Sequence, residues 1–477
     1  MDWAMPTFCS LVAIINVITY NNYYLSLAVV LVEISVLIYF VIADKIEQYL
    51  TLYLIALTTS IEFNASTTEA VVYGFKGFEI GGINLAALGA VFAAAIIVIR
   101  NPKTIFEPVR NKQYSRYCRL FTVSILISIG MGIITVAAND NNIQNMREFL
   151  YALLGEIYLK AIIPFTMIPV LNYLVNRNIS TELIADRVYN ILFGISVSVI
   201  FSYVFNIRGY YGGLSTIMAP SASVLIPFGM LLPIYRNGKL VTVRNAIIIV
   251  SSILLLLNNA TGKYIIFCVT TFIVTLVAFV NQKKAGKLVL FLLVSVAAIL
   301  LFLNLGLDNK IGLLLEIKLG QVGDLFNFVG GARNGGRSSS LARIDELINV
   351  IREYIDKPYF ILLGKGALGS VKDWIGAFQY SSDALTGYSQ AQWENGTFYA
   401  LHETLNLLLI SNGLYGLHFM IQVIKGTIVQ CRKSFLSVIG LIWYIFFYGY
   451  SVTISMIGFV VLMMSAYEKS GMEERQN

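Results

Sequence analysis

Residues 288–306 carry no charged side chain, and stretches almost as apolar recur along the whole 477-residue chain. A helix needs about 20 apolar residues to cross the hydrocarbon of a bilayer. Inside lipid every backbone N–H and C=O needs a partner within the protein, which restricts long apolar runs of this kind to helices. The runs predict spans at 6–20, 24–42, 46–62, 82–99, 120–138, 149–175, 188–205, 215–235, 245–258, 262–280, 288–306, 404–424 and 434–452, with a short apolar piece at 454–467. The expected fold class is an all-α polytopic integral membrane protein of about 12–14 transmembrane helices.

Charge is scarce, 13% of residues, so its placement is informative. The segments at 100–119, 236–244, 281–287 and 425–433 hold 15 Lys/Arg against one acid, Glu107, and all fall on one side if the spans alternate. Basic loops stay in the cytoplasm, so the opposite loops are expected to face outward. The formal charge of +7 therefore reads as topology and speaks against a nucleic-acid partner. The first span follows Met1-Asp2-Trp3 with no basic n-region, which predicts a retained helix rather than a cleaved signal peptide.

Several chemistries are poorly supplied. Cys9, Cys118, Cys268 and Cys431 lie in predicted helices or cytoplasmic ends, with neither disulfide nor zinc spacing. His402 and His418 are the only histidines, too few for a His-based metal site. The sequence holds no P-loop, no dinucleotide-binding glycine pattern and no heptad run.

The exception to the apolar pattern is the polar segment 307–403, with Gly330-Gly-Ala-Arg333-Asn-Gly-Gly-Arg337 near its start and His402-Glu403 at its end. Structureless loops of this length are uncommon in compact proteins, so an ordered insert is expected. The chain divides accordingly into N-terminal transmembrane helices (1–205), core transmembrane helices with outer Arg/Lys loops (206–306), a large extracytoplasmic loop containing short helices (307–403), and C-terminal transmembrane helices with a cytoplasmic tail (404–477).

The outward side collects Arg208, in Asn206-Ile-Arg208-Gly; Lys263, in Asn258-Asn-Ala-Thr-Gly-Lys263; Arg337 and Arg343; and His402-Glu403. Each is costly beside lipid. Their shared chemistry is anion binding: a guanidinium keeps its charge and presents a planar fork to phosphate oxygens, and glycines let backbone N–H groups approach. Arg208, Lys263, Arg337 and Arg343 together suit a diphosphate, with a neutral imidazole or carboxylate to take a proton from a hydroxyl.

Plainer roles exist for each alone. Arg208 is also a typical headgroup anchor, Lys263 a snorkelling end residue, His402 a helix cap, and Arg343 half of a surface ion pair beside Asp345 and Glu346. Arg343 lies in a stretch with helical apolar spacing, Leu341, Ile344, Leu347, Ile348 and Ile351. Glu156 and Lys160 are expected to pair on one helix, and Glu33 sits mid-span. Tyr380, Tyr388, Trp393 and Tyr399 suit either sugar stacking or interfacial anchoring.

In order, four passages resemble the O-antigen polymerase and ligase superfamily of bacterial envelope glycosyltransferases. They are Arg208-Gly followed by Ala219-Pro220-Ser-Ala-Ser; Thr261-Gly-Lys263; Arg343-Ile-Asp-Glu-Leu347 through Lys357-Pro358 to Gly364-Lys-Gly366; and His402-Glu-Thr-Leu-Asn406 followed by Gly413-Leu-Tyr-Gly416. Glu403 stands where many relatives carry Asn, and Ala342 where Gly is frequent.

The resemblance implies a multi-pass enzyme of the bacterial inner membrane with its site facing the periplasm. It would polymerise O-antigen- or capsule-type repeat units, transferring glycan from an undecaprenyl diphosphate donor to the terminal sugar of another lipid-linked unit, with no cofactor and no essential metal. Membrane lipids, and a chain-length regulator, are the implied partners. Arg208 and Arg343 would hold diphosphate with Lys263 and Arg337 in support, and His402 would act on the acceptor hydroxyl, Glu403 being the alternative base. A ligase acting on lipid A-core is the alternative within the family. A lipid-linked oligosaccharide flippase is the alternative from another class.

Overall fold

The computed structural model describes residues 3–20, 22–60, 74–75, 77–80, 83–103, 109, 111–138, 159–211, 214–230, 242–258, 339–378, 388, 390–399, 401, 403–431, 436–448 and 452–467. The chain is mainly helical, as expected of a membrane-embedded protein. The N-terminal helices are α1 (Ala4–Thr19), α2 (Tyr23–Ile42) and α3 (Ile46–Thr59), followed by the short hairpin β1 (Glu79–Ile80) and β2 (Ile83–Asn84). Next come α4 (Leu85–Arg100), α5 (Lys112–Ala137), α6 (Leu159–Asn176) and α7 (Thr181–Val204). A second hairpin, β3 (Arg208–Tyr211) and β4 (Leu214–Ile217), leads to a 3-10 segment at Ser221–Met230 and to α8 (Val243–Asn258). The polar insert contributes α9 (Ser339–Asp356), a 3-10 turn (Pro358–Phe360) and α10 (Gln390–Asn395), before α11 (Thr404–Cys431), α12 (Leu436–Phe447) and α13 (Val452–Tyr467).

Four of these, α2, α5, α7 and α11, are long and apolar enough to cross a membrane. Helices α1, α4, α8, α12 and α13 and the 162–176 part of α6 are apolar but shorter. Helix starts follow capping chemistry: Asn22, Asn84, Asn111 and Ser180 each accept a backbone N–H of the first turn through the side chain. The Asn111 cap explains why α5 begins before the expected 120. Its first turns carry Lys112, Arg116 and Arg119, which hydropathy excludes from a span.

The expected span at 215–235 is not an α-helix over its described part. Residues 214–217 pair with 208–211 as an antiparallel hairpin, and a 3-10 segment follows. Pro220 and Pro227 disfavour an α-helix here, since proline lacks the N–H of an α-helical ladder and pushes the preceding residue out of the α region, although α6 accommodates Pro164 and Pro169. The spans at 262–280 and 288–306, and Glu156, lie outside the described residues. Glu33, buried in α2, accepts from Asn16 of α1, which also donates to Thr59 of α3.

The C-terminal helices pack closely against each other. A Cβ on Gly440 would lie 2.5 Å from the Leu462 nitrogen, and one on Gly458 would overlap the Tyr444 nitrogen, so α12 and α13 touch backbone to backbone. Small residues at the contact are the usual means of such packing in membranes. Phe121 of α5 then meets Phe419 of α11, Tyr444 of α12 and Phe459 of α13 edge-on, at centroid distances of 5.2, 5.2 and 4.8 Å.

Candidate functional site

Helix α11 is not continuous: Gly413 has φ 59° and ψ −145°, and the ladder breaks there. Only glycine takes such a conformation without strain. The break frees backbone groups that the insert then satisfies. Leu414 N donates to Ile361 O at 2.8 Å and Tyr415 N to Leu362 O at 3.1 Å, while Lys365 N donates to Ile410 O at 2.7 Å and Gly366 N to Ser411 O at 3.1 Å. On the other side Ala367 N donates to Ser128 O at 2.6 Å and Thr135 Oγ1 to Lys365 O at 2.8 Å, both on α5. Gly366, at φ +80°, lies so close to Gly132 that a Cβ would overlap its nitrogen. Residues 361–367 are thus wedged between two membrane-length helices. Gly413 lies nine residues into α11, on the order of 13 Å along a helix rising 1.5 Å per residue. Irregular backbone at such a depth is tolerated where protein surrounds it.

This wedge fixes α9 against α11, and α9 turns an unusual face inward. Glu346, Asn349 and Glu353 are buried, with Glu346 and Glu353 at 0% and 1% exposure. Buried charge is costly unless paired and hydrogen-bonded, and here it is. Glu353 Oε1 accepts from Lys365 Nζ at 3.0 Å and meets Lys357 Nζ at 3.3 Å, and Glu353 Oε2 accepts from Trp374 Nε1 at 2.9 Å. Burial raises the Glu353 carboxyl, but the Lys365 ammonium and these donors outweigh it and hold the pKa below its ordinary value. Asn349 and Asp373 continue the network: Asn349 Oδ1 accepts from Trp374 N at 2.7 Å, and the Asp373 carboxylate accepts from Ala377 N and Phe378 N at 2.9 Å each.

About two turns nearer the start of α9 than Glu353, a second group gathers residues from three parts of the chain. Glu346 accepts from the Tyr388 hydroxyl at 2.9 Å and from Asn406 Nδ2 at 3.0 Å, and Asn406 Nδ2 also donates to Arg343 O at 2.9 Å. Burial, and then the Glu346 carboxylate, push the Tyr388 hydroxyl well above its ordinary pKa, so it remains a donor. At the rim, Arg343 Nε lies 2.7 Å from Glu403 Oε1, with the side chains 29% and 44% exposed. The Nε–H itself has no aligned acceptor, so charge and proximity hold this pair rather than a well-directed hydrogen bond.

The structure therefore joins Arg343 and Glu403, 60 positions apart in sequence, in a partly exposed ion pair, the plainer role that its sequence setting also allowed. Arg208 stands apart in the β3–β4 hairpin, exposed, its Nε donating to Asn206 Oδ1 at 2.7 Å. Among the described residues no hydrogen bond or ion pair links it to Arg343 or Glu403. Lys263, Arg337, His402 and Tyr380 lie outside the described residues. Tyr388 is no open sugar platform: it is buried between Phe378 and Phe398, at centroid distances of 4.5 and 4.7 Å. Trp393 is exposed and remains available for stacking.

Sequence reasoning missed Glu346, Glu353 and Asn406 as the frame of the site. The signal was present as Glu346, Asn349 and Glu353 at helical spacing opposite the isoleucines of the same helix. Among the described residues no group of three or more His, Cys, Asp or Glu is arranged to hold a metal ion.

Compared with protein-family models, with curated proteins and with solved structures, the chain matches none.

Proposed function

We propose that the chain is a membrane glycosyltransferase that polymerises lipid-linked repeat units, taking glycan from an undecaprenyl diphosphate donor to the terminal sugar hydroxyl of a second lipid-linked unit. The observation that carries this reading is the Arg343–Glu403 pair, set one residue from His402 at the start of a membrane-length helix and backed by the buried Glu346–Tyr388–Asn406 group. Glu403 meets the guanidinium at Nε, and the terminal N–H pair of an arginine suits a two-pronged grip on a diphosphate.

In this reading Arg343 stabilises the leaving diphosphate, with charge placed in advance rather than recruited during reaction. Arg208, Lys263 and Arg337 add positive charge as the donor binds. His402 accepts the proton of the attacking hydroxyl, Glu403 being the alternative base. The Glu403 carboxylate is already engaged by Arg343, which favours His402 as the base. The site would face the periplasm from the bacterial inner membrane, with membrane lipids around it and a chain-length regulator as a partner.

Deletion of the gene in its host, with the surface polysaccharide run on a gel, tests the reading. A core capped by single repeat units is the expected result. Bare lipid A-core with accumulated lipid-linked polymer would make the acceptor lipid A-core and the enzyme a ligase. An unaltered ladder would overturn both, and lipid-linked units stranded on the cytoplasmic side would favour a flippase.

A further inference from the structure

The insert helix α9 buries acids beside Val350 and Tyr354 and exposes isoleucines. An amphipathic helix of a globular protein buries its apolar stripe and shows its charges to water. Here Asp345, Glu346, Asn349 and Glu353 are buried, whereas Ile351 and Ile355 on the opposite side are exposed, Ile355 at 68%. Ile344, Leu347 and Ile348, which lie on the same side as those two, are only partly covered. The exposed apolar surface continues past the end of the helix through Tyr359 to Leu362, itself 67% exposed, and Leu363.

We propose that this outer face of α9, together with Tyr359 and Leu362, is embedded in the hydrocarbon edge of the bilayer, with membrane acyl chains as its occupant. The first argument is continuity. Leu362 O accepts from Tyr415 N at 3.1 Å, which sets this surface directly beside Leu414, an exposed residue of α11. Farther along α11, Ile421 and Ile428 are exposed as a membrane-length helix exposes its lipid side. The second argument is position, since residues 361–367 are hydrogen-bonded to Ser128 and Thr135 in the second half of α5 and to residues 410–415 of α11, the seventh residue of that helix and beyond. The third is charge. Arg352 and Asp356 border the apolar stripe and are exposed, the arrangement of an interfacial helix whose charged flank reaches the headgroup layer.

The burial of acids on the inward side then has a cause. A helix with lipid on one side and protein on the other has no water-facing side for Glu346 and Glu353, so both find partners within the protein. The proposal rests on the membrane reading of the chain alone and stands whether or not the site transfers sugars.

Nitroxide labels on single added cysteines test it in the full chain, reconstituted in vesicles of phosphatidylethanolamine and phosphatidylglycerol. Ile351→Cys, Ile355→Cys and Leu362→Cys are compared with Arg352→Cys and Asp356→Cys, and signal from the unsubstituted chain is subtracted. All five positions are exposed, so folding is expected to survive, and an unchanged elution profile checks this. Labels at 351, 355 and 362 should collide several-fold more often with oxygen, and several-fold less often with a water-soluble nickel chelate, than labels at 352 and 356. Equal nickel access at all five would overturn the proposal. So would immobilised, spin-coupled labels at 351 and 355, which would mean that a second copy of the chain covers the face.

Discussion

Helices α12 and α13 and the segment 339–378 are both well packed, yet they are held by opposite means. The α12–α13 pair meets through Gly440 and Gly458 and buries Trp443 and Phe459. Its cohesion is close backbone approach and apolar packing. The insert holds α9 through Glu353, Lys365, Asn349 and Asp373, and through backbone hydrogen bonds to a broken helix. The first tolerates loss of polar groups and fails when its shape changes. The second fails when one charge loses its partner.

The largest expected effects break each region in its own way. Glu353→Ala leaves the Lys365 ammonium buried without its carboxylate, which should cost about 3–5 kcal/mol. Limited proteolysis should then cut within 339–378 while α12 and α13 stay protected. Trp443→Ala empties a fully buried site at a similar cost of about 3–5 kcal/mol. Protease protection should in that case fail first at the C-terminal helices, and a reversed pattern in either variant would dissolve the distinction.

A smaller effect is expected at Asn406. Its side-chain amide donates to both Glu346 and Arg343 O, so Asn406→Ala should cost about 1–3 kcal/mol by leaving a buried carboxylate short of a donor. Hydrogen exchange should rise at the first turns of α9 and be unaltered in α13.

Acid sharpens the comparison with the smallest expected change. The folded pKa of Glu353 lies below its ordinary 4.5. The stability it confers is therefore complete above about pH 4.5 and lost as the pH falls below that, through the folded value. The stability gap between the wild type and Glu353→Gln should close as pH is lowered through this range. The gap for Trp443→Ala should stay constant, and a Glu353→Gln gap that did not narrow would contradict the assignment.

The two regions were not equally legible in the sequence. Hydropathy reads the apolar helices because lipid and protein core both reward the same residues, so α2, α5, α7 and α11 lie where the runs predict. The same tool errs at 215–235, where a hairpin strand and a 3-10 segment stand in place of the α-helix that composition alone would allow. It is also blind to the break at Gly413, since one glycine does not interrupt an apolar average. In the insert the pattern is legible but not its sense. Ile344, Ile348, Ile351 and Ile355 mark one side of α9 correctly, yet no rule of periodicity says whether that side meets protein or lipid. Arg343 and Glu403 were singled out for their chemistry, but their meeting depends on the wedge at 361–367, a long-range contact that no local signal encodes.

In the proposed function Arg343, held at the rim of a charged interior, acts on the diphosphate. The most direct measurement is the glycan ladder made in the deletion host by chain carrying Arg343→Ala, with membrane insertion checked on the same samples. The account predicts normal insertion and a product ladder reduced to single repeat units. A full-length ladder of wild-type intensity would contradict it.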